Sequence, residues 1–152
     1  MNSGTIDSPF GSITFTVEEG FVTRIKFEPG EGDYNGGDPF IAETARQPRE
    51  YAAAAPFSFD LPLTPAFSDF QSQIRQFMIA IPCGEMQTYG ELAKELGSAS
   101  QAVGQDCGAN PIPIIVPCHR VVASGGKLGG FSGADGAPTK KKLLNHETVS
   151  AP

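Results

Sequence analysis

A cysteine and a histidine stand side by side at positions 118 and 119, directly after an apolar run that ends in proline. A thiol attacks carbon as its thiolate, and a neighbouring imidazole lowers the cost of forming that thiolate. Cys118 is therefore a candidate nucleophile, with His119 as its base. Residues 114–116 (Ile-Ile-Val) predict a short buried strand that Pro117 ends, which would place the pair at the edge of a core on extended backbone.

Several further segments accompany this pair in a fixed order. They are Phe70-Gln71, Ile81-Pro82, Thr88-Tyr89-Gly90-Glu91-Leu92-Ala93, Gly129-Gly130-Phe131-Ser132-Gly133 and Leu143-Leu144-Asn145-His146-Glu147. With residues 110–122, this set resembles the active-site signature of the O6-alkylguanine-DNA alkyltransferases. The resemblance is close over residues 67–147 and loose over the first third of the chain. A lone Cys-His pair would be weak evidence, whereas the whole ordered set is specific.

Members of this family are suicide repair proteins that move an alkyl group from guanine O6 to a cysteine. The resemblance implies that the chain binds double-stranded DNA containing O6-alkylguanine through the minor groove. It also implies that the damaged nucleotide rotates out of the duplex and gives up its alkyl group in a single turnover. No dissociable cofactor is expected, because the thiol itself is consumed.

The resemblance assigns roles to individual residues. Cys118 is the alkyl acceptor, His119 is the base, directly or through water, and Glu147 is the carboxylate that orients the imidazole. Asn110 would tie the predicted strand to a helix-turn-helix, and Tyr89 would help to rotate the nucleotide and donate a hydrogen bond to the purine. The other residues expected to contact DNA or to line the pocket are Gln101, Ala102, Gly104, Arg120, Val121, Gly129, Phe131 and Ser132.

One predicted DNA contact departs from the family pattern. The family usually has an arginine directly before the Ala-Val-Gly at 102–104, where it fills the space left by the rotated nucleotide, and this chain has Gln101. The surrounding stretch, residues 99–105, carries no lysine or arginine. Its small side chains suit close approach to a minor groove without base-specific contacts. We expect weaker DNA binding or slower flipping than a Gln101→Arg variant would show.

Taken together, the resemblance and the order of elements predict an α+β fold in two domains. Residues 1–64 would form a small structural domain, an antiparallel sheet with a helix, which the resemblance implies is ribonuclease-H-like. Residues 65–152 would form a mainly helical DNA-binding domain, which the resemblance implies is a winged helix-turn-helix. No chemistry is expected of the first domain.

In the first domain, alternating apolar residues predict a hairpin over residues 9–28. Residues 29–39, rich in glycine and acid, predict a loop. Residues 41–55 are partly helical in pattern, although Pro48 is expected to kink or break a helix there. Residues 57–61 predict a third strand.

The second domain opens with a helix over residues 67–82, where apolar residues recur at helical spacing. Thr88 and Glu91 predict a capping box for the next helix, which Gly97 would end. Ser98 is expected to cap a third helix that runs to about residue 108. Two short helices with a glycine turn between them predict a helix-turn-helix.

The charge is unevenly distributed. The chain carries −6 overall, of which residues 1–74 carry −7 and residues 75–152 carry +1. Because attraction to phosphate depends on basic groups, we expect a modest and salt-sensitive affinity for DNA, aided by backbone amides and helix N-termini. Residues 140–142, three lysines, could contact phosphate, although a solvated helix face is the safer interpretation.

Composition and motifs bound the remaining properties. An odd count of three cysteines predicts reduced thiols, with Cys83 and Cys107 structural, and no zinc-ligand spacing is present. With no signal or membrane-length apolar run, we expect a cytoplasmic monomer without a membrane partner. A module that binds alkylated DNA without transfer is the main alternative function. Its relatives lack the cysteine that is present here at 118, and a Cys-His hydrolase has no supporting signature.

Overall fold

An antiparallel sheet opens the fold. The computed structural model describes residues 2–28, 39–54, 57–126 and 137–150. The sheet has the order β1 (Asn2–Ile6), β2 (Ile13–Glu18) and β3 (Phe21–Lys26). Strands β2 and β3 confirm the predicted hairpin, and its two-residue turn, Glu19-Gly20, has both φ angles positive, as the right-handed twist of a tight hairpin requires. Strand β1 was not predicted, because Asn, Ser and Gly favour strands poorly and pairing with β2 outweighs that preference.

Helix α1 (Pro39–Ala53) passes through Pro48, so the predicted break is wrong and the alternative, a kink, stays a prediction. Proline in a helix interior costs about 3 kcal/mol. The helix persists because its buried face, which includes Ile41 and Tyr51, packs on the sheet, and such packing supplies most helical stability in proteins. The predicted loop over residues 29–39 lies almost wholly outside the described residues.

The predicted third strand over residues 57–61 is also wrong. The backbone of Asp60 hydrogen-bonds the Gln47 side chain instead of a neighbouring strand, through Asp60 N to Oε1 at 2.8 Å and Nε2 to Asp60 O at 3.1 Å. Only an isolated parallel bridge joins the following residues to the sheet, between Val22 and Leu63 within the described ranges. The Gln47 side chain thus forms the hydrogen bonds to the Asp60 backbone that a neighbouring strand would have formed.

Three helices follow, and they agree with the sequence except at one cap. Helix α2 (Asp69–Ala80) is capped by Ser68, and the short strand β4 (Gln87–Thr88) follows it. Helix α3 (Tyr89–Leu96) begins with the predicted capping box and ends at Gly97, whose φ is +64°. Helix α4 (Ser100–Gly108) begins after Ala99 without a side-chain cap, so the predicted Ser98 cap is wrong. The Ser98 amide instead donates to Ala93 O at 2.9 Å and so closes the end of α3.

The chain then reaches the Cys-His pair through a turn. A 3₁₀ turn (Cys118–Arg120) leads into β5 (Val121–Val122), which pairs in parallel with β4, and the chain ends in α5 (Ala137–Ser150). Helices α3 and α4 pack against each other about Gly97, as a helix-turn-helix requires. One buried apolar cluster contains residues from both predicted domains, and the boundary at residue 64 stays a prediction. No described helix is long and apolar enough to cross a membrane.

The capping box predicts a specific stability loss. Thr88→Ala removes the oxygen that accepts from the Glu91 amide at 3.1 Å, so we expect the free energy of unfolding to fall by about 1 kcal/mol in urea titrations. Ser98→Ala is the matched control and should change it by less than about 0.5 kcal/mol, since its side chain caps no helix. Equal losses in the two variants would contradict this assignment of the caps.

Candidate active site

The segment before Cys118 is a buried turn held by one amide side chain. Asn110 donates from Nδ2 to Val116 O at 2.9 Å, and its Oδ1 accepts from the Ile112 amide at 3.1 Å. Ile114 lies within this turn with φ +73°, a conformation that a β-branched residue rarely adopts. The predicted strand over residues 114–116 is therefore wrong, although its burial was predicted correctly. Asn110 links the end of α4 to the turn, as its predicted role as a hinge requires.

Cys118 starts the 3₁₀ turn, and its amide donates to Val116 O at 2.8 Å. Only 2% of the residue is exposed, and none of the three cysteines is in a disulfide. The residue lines neither a cavity of about 800 Å³ between β3, α2 and α4 nor one of about 440 Å³ beside residues 57–63. Because the backbone here is a tight turn, the predicted extended geometry of the Cys-His pair is wrong.

Behind the cysteine, the carboxylate of Glu147 is the centre of a buried hydrogen-bond network. Its Oε2 lies 2.5 Å from His119 Nε2 and accepts from Tyr51 Oη at 2.6 Å and Arg120 Nη2 at 3.1 Å. Its Oε1 accepts from Arg120 Nε at 2.9 Å and the Gly84 amide at 3.4 Å. Burial alone would raise the pKa of Glu147. Hydrogen bonds from His119 and Arg120 outweigh that effect and hold the pKa well below its usual 4.5.

This carboxylate fixes the protonation of His119. Burial lowers the pKa of His119 below 6.5, against the opposing pull of Glu147, so the imidazole is neutral at neutral pH. A carboxylate can only accept, so the single ring proton lies on Nε2 and Nδ1 carries a lone pair. Nδ1 is buried, and no described residue hydrogen-bonds it. Such an orphan acceptor is costly, and it marks the atom on which a proton can be received.

Two predicted DNA contacts are instead buried. Arg120 donates to Glu147 and, through Nη1, to Ile81 O at 2.8 Å, and its side chain is 8% exposed. Val121 is fully buried in β5. The Arg120 guanidinium is therefore occupied by a buried carboxylate and a carbonyl, and its contact with DNA stays a prediction.

Lys140 was missed by the sequence reasoning, which placed it on a solvated helix face. It is 0% exposed, and its Nζ donates to Val121 O at 2.6 Å and Tyr89 Oη at 3.1 Å. Burial lowers the pKa of Lys140 and raises that of Tyr89 to about 12. The charge interaction with Cys118 opposes this effect of burial on the pKa of Lys140.

The remaining predicted residues divide between α4 and the undescribed part of the chain. Gln101 is exposed on α4, with Ala102 and Gly104 half-buried, and Cys107 packs against Met78 with the sulfurs 3.7 Å apart. Gly129, Phe131 and Ser132 lie outside the described residues. Tyr51 was also missed, and nothing local in the sequence could have found it, since its partner is 96 residues away. Within the described ranges, no group of three His, Cys, Asp or Glu side chains could hold a metal ion.

Comparisons with known proteins agree on one family. The profile of "6-O-methylguanine DNA methyltransferase, DNA binding domain" matches residues 69–149. A methylated-DNA–protein-cysteine methyltransferase of Methanosarcina acetivorans is 38% identical, with 97% of this chain and 98% of that protein covered. One of Mycobacterium tuberculosis is 36% identical over 97% of this chain and 93% of that protein. The crystal structure of M. tuberculosis OGT in complex with DNA superposes with TM-score 0.86 at 34% identity, over 100% of this chain and 96% of that chain.

The Glu147 network predicts a pH-dependent stability. Glu147→Gln leaves Arg120 buried without its anion, so we expect the free energy of unfolding to fall by about 3–5 kcal/mol at neutral pH. The folded-state pKa of Glu147 is depressed, so its contribution is complete above about pH 4.5 and is lost as the pH falls through the lower folded value. The difference from wild type in urea titrations should therefore shrink with acidification.

Glu43→Gln is the control for this measurement, because Glu43 forms an exposed ion pair with Arg46 on α1. Exposed pairs of this kind contribute little, so the variant should unfold as wild type does at neutral pH. A Glu147→Gln deficit that stays constant from neutral to acidic pH would show that the carboxylate charge is not the source of the stability.

Proposed function

Since the chain belongs to the 6-O-methylguanine DNA methyltransferase family, we propose that it repairs DNA by moving an alkyl group from guanine O6 onto its own Cys118. The observation that carries the proposal is the buried His119 imidazole, whose Nε2 meets Glu147 while no described residue hydrogen-bonds its Nδ1. A cysteine directly before such a base can lose its proton as it attacks carbon. The protein acts once per molecule, because the thioether that forms is not reversed.

The transfer step follows from these positions. The Cys118 thiol gives its proton to His119 Nδ1, directly or through water, and sulfur forms a bond to the alkyl carbon. The bond between that carbon and guanine O6 breaks, and its electron pair stays on the purine. Glu147 stabilises the imidazolium that forms, through the contact with Nε2.

Tyr89, together with Lys140, stabilises the purine as it leaves. Lys140 donates to the Tyr89 oxygen, so the phenol accepts a hydrogen bond from this cation. The pKa of about 12 keeps the phenol protonated at neutral pH. A donor placed beside the purine offsets negative charge as the alkyl group departs. Because Tyr89 begins α3, the helix-turn-helix positions this donor directly.

DNA binding is assigned to α4, where Gln101 is exposed and the small residues Ala102 and Gly104 leave room for close approach of a partner. Close approach of a small-residue helix suits the minor groove, and extrusion of the damaged nucleotide follows the logic of enzymes that act on a single base. Gly129, Phe131 and Ser132 remain the proposed pocket residues, and a cytoplasmic location remains part of the proposal.

Intact-protein mass spectrometry tests the proposed function. Incubation with a duplex containing O6-methylguanine should add one methyl group per chain, and no second group with excess DNA, because the acceptor is consumed. Cys118→Ser should show no increment, while Cys107→Ser, a buried thiol that packs on Met78, should still be methylated. Tight binding of the lesion duplex by wild type without any mass change would favour the non-transferring recognition module.

A charge change on α4 tests the DNA surface. Gln101→Arg should bind undamaged duplex more tightly at low salt, and the slope of log affinity against log salt should steepen by about one counterion. Gln105→Arg is the matched control, because it adds the same charge to an exposed position one turn further along α4. If the two variants also raise the rate of methyl transfer equally, the added charge alone is responsible. A rate increase confined to Gln101→Arg supports insertion of the residue at position 101 into the duplex.

A further inference from the structure

Tyr51 reaches the candidate active site from the N-terminal part of the chain. It lies near the end of α1 and is 1% exposed. Its hydroxyl contacts Glu147 Oε2 at 2.6 Å, the same oxygen that meets His119 Nε2. We propose that Tyr51 is a positioning residue for alkyl transfer, which sets how strongly Glu147 acts on the imidazole. This inference rests on the proposed function.

Contacts other than the one with the carboxylate hold the Tyr51 side chain in place. Its ring packs on Phe10, Phe59 and His146, at centroid distances of 6.1, 5.6 and 5.1 Å. Its backbone oxygen lies 2.6 Å from His146 Nε2 on α5. Because His146 directly precedes Glu147, α1 and α5 are joined at both the backbone and the hydroxyl. A side chain locked in this way can hold a partner to a narrow range of geometry.

The direction of the hydrogen bond follows from the charges around it. Burial and the neighbouring carboxylate raise the pKa of Tyr51 well above its usual 10, so the phenol is protonated and donates to Glu147. Arg120 donates to the same carboxylate, Lys140 is the further cation near His119, and the Cys83 thiol lies beside Glu147. Tyr51 is thus a neutral donor that shares Oε2 with the imidazole.

Sharing of one oxygen has a chemical consequence. A donor on Oε2 draws electron density from the carboxylate and weakens its hold on the Nε2 proton of His119. Loss of the Tyr51 hydroxyl makes Glu147 a stronger acceptor, which stabilises the imidazolium and makes Nδ1 more basic. The pH at which His119 becomes a competent base then rises. The N-terminal unit, for which no chemistry was expected, would in this way tune the base.

The test compares Tyr51→Phe with Phe59→Leu, which removes a ring neighbour of Tyr51 and keeps the hydroxyl. After urea titration establishes that both fold, the rate of methyl transfer is measured as a function of pH. We expect the acidic limb of the profile to move up by about 0.5 to 1 pH unit in Tyr51→Phe and to stay in place in Phe59→Leu. A purely structural role would lower the rate at every pH without moving the limb, and that result overturns the inference.

A second measurement separates this inference from the proposed function. In Cys118→Ser backgrounds with and without Tyr51→Phe, the His119 imidazole is titrated by nitrogen NMR, with His146, the other histidine of the chain, as internal control. A higher His119 titration midpoint with Tyr51→Phe supports the coupling between Tyr51 and His119. Failure of the wild type to transfer a methyl group would contradict the proposed function and leave this coupling intact. Coincident His119 curves refute the coupling even if transfer is normal.

A third measurement needs no change at residue 51, in case Tyr51→Phe does not fold. The buried Tyr51 hydroxyl proton should give a slowly exchanging downfield NMR resonance in the unaltered chain. That resonance should shift in Glu147→Gln and persist in Glu43→Gln. Its absence from the unaltered chain would overturn the proposed contact.

Discussion

A buried carboxylate that must remain ionised is the constraint on which the rest of the site depends. Removing the Glu147 charge from water costs several kcal/mol, which only well-placed donors can offset. The donors come from distant parts of the chain: Tyr51 from α1, the amide of Gly84 from the loop after α2, and His119 and Arg120 from the 3₁₀ turn. The anion is satisfied only when all of these elements have packed. The geometry of the base therefore depends on the packing of all these elements.

The need to pair buried polar groups also explains the irregular backbone before the thiol. A strand at residues 114–116 would have left its backbone groups to a sheet partner, and Pro111 and Pro113 cannot donate to one. The Asn110 side chain instead binds the Val116 carbonyl and the Ile112 amide, and Ile114 adopts a positive φ. Strain at a functional site persists when the surroundings over-determine it, as the full burial of this turn does here. The result is a fixed platform for Cys118 at the end of α4.

Local patterns in the sequence predicted the elements that depend on near neighbours. The Thr88 capping box and the β2–β3 hairpin need only a few adjacent residues, and both are present. The resemblance to the family implied a site of Cys118, His119 and Glu147, and the structure brings His119 and Glu147 into contact. The polar residues of the site whose burial was not predicted share a different cause. Tyr51, Lys140 and Arg120 are polar residues whose burial depends on partners far along the chain, and side-chain type alone predicts the surface for them.

Those buried cations change how the charge of the chain bears on DNA. Residues 75–152 hold seven basic and six acidic side chains, yet Arg120 is neutralised by Glu147 and Lys140 is held by Val121 O and Tyr89. Neither contributes an exposed cation for phosphate, so the outer surface is less basic than the sequence count. Long-range attraction cannot then dominate affinity. Under the proposed function, close contact by α4 supplies more of the affinity, and the volume and charge at Gln101 then bear directly on how tightly the duplex is bound.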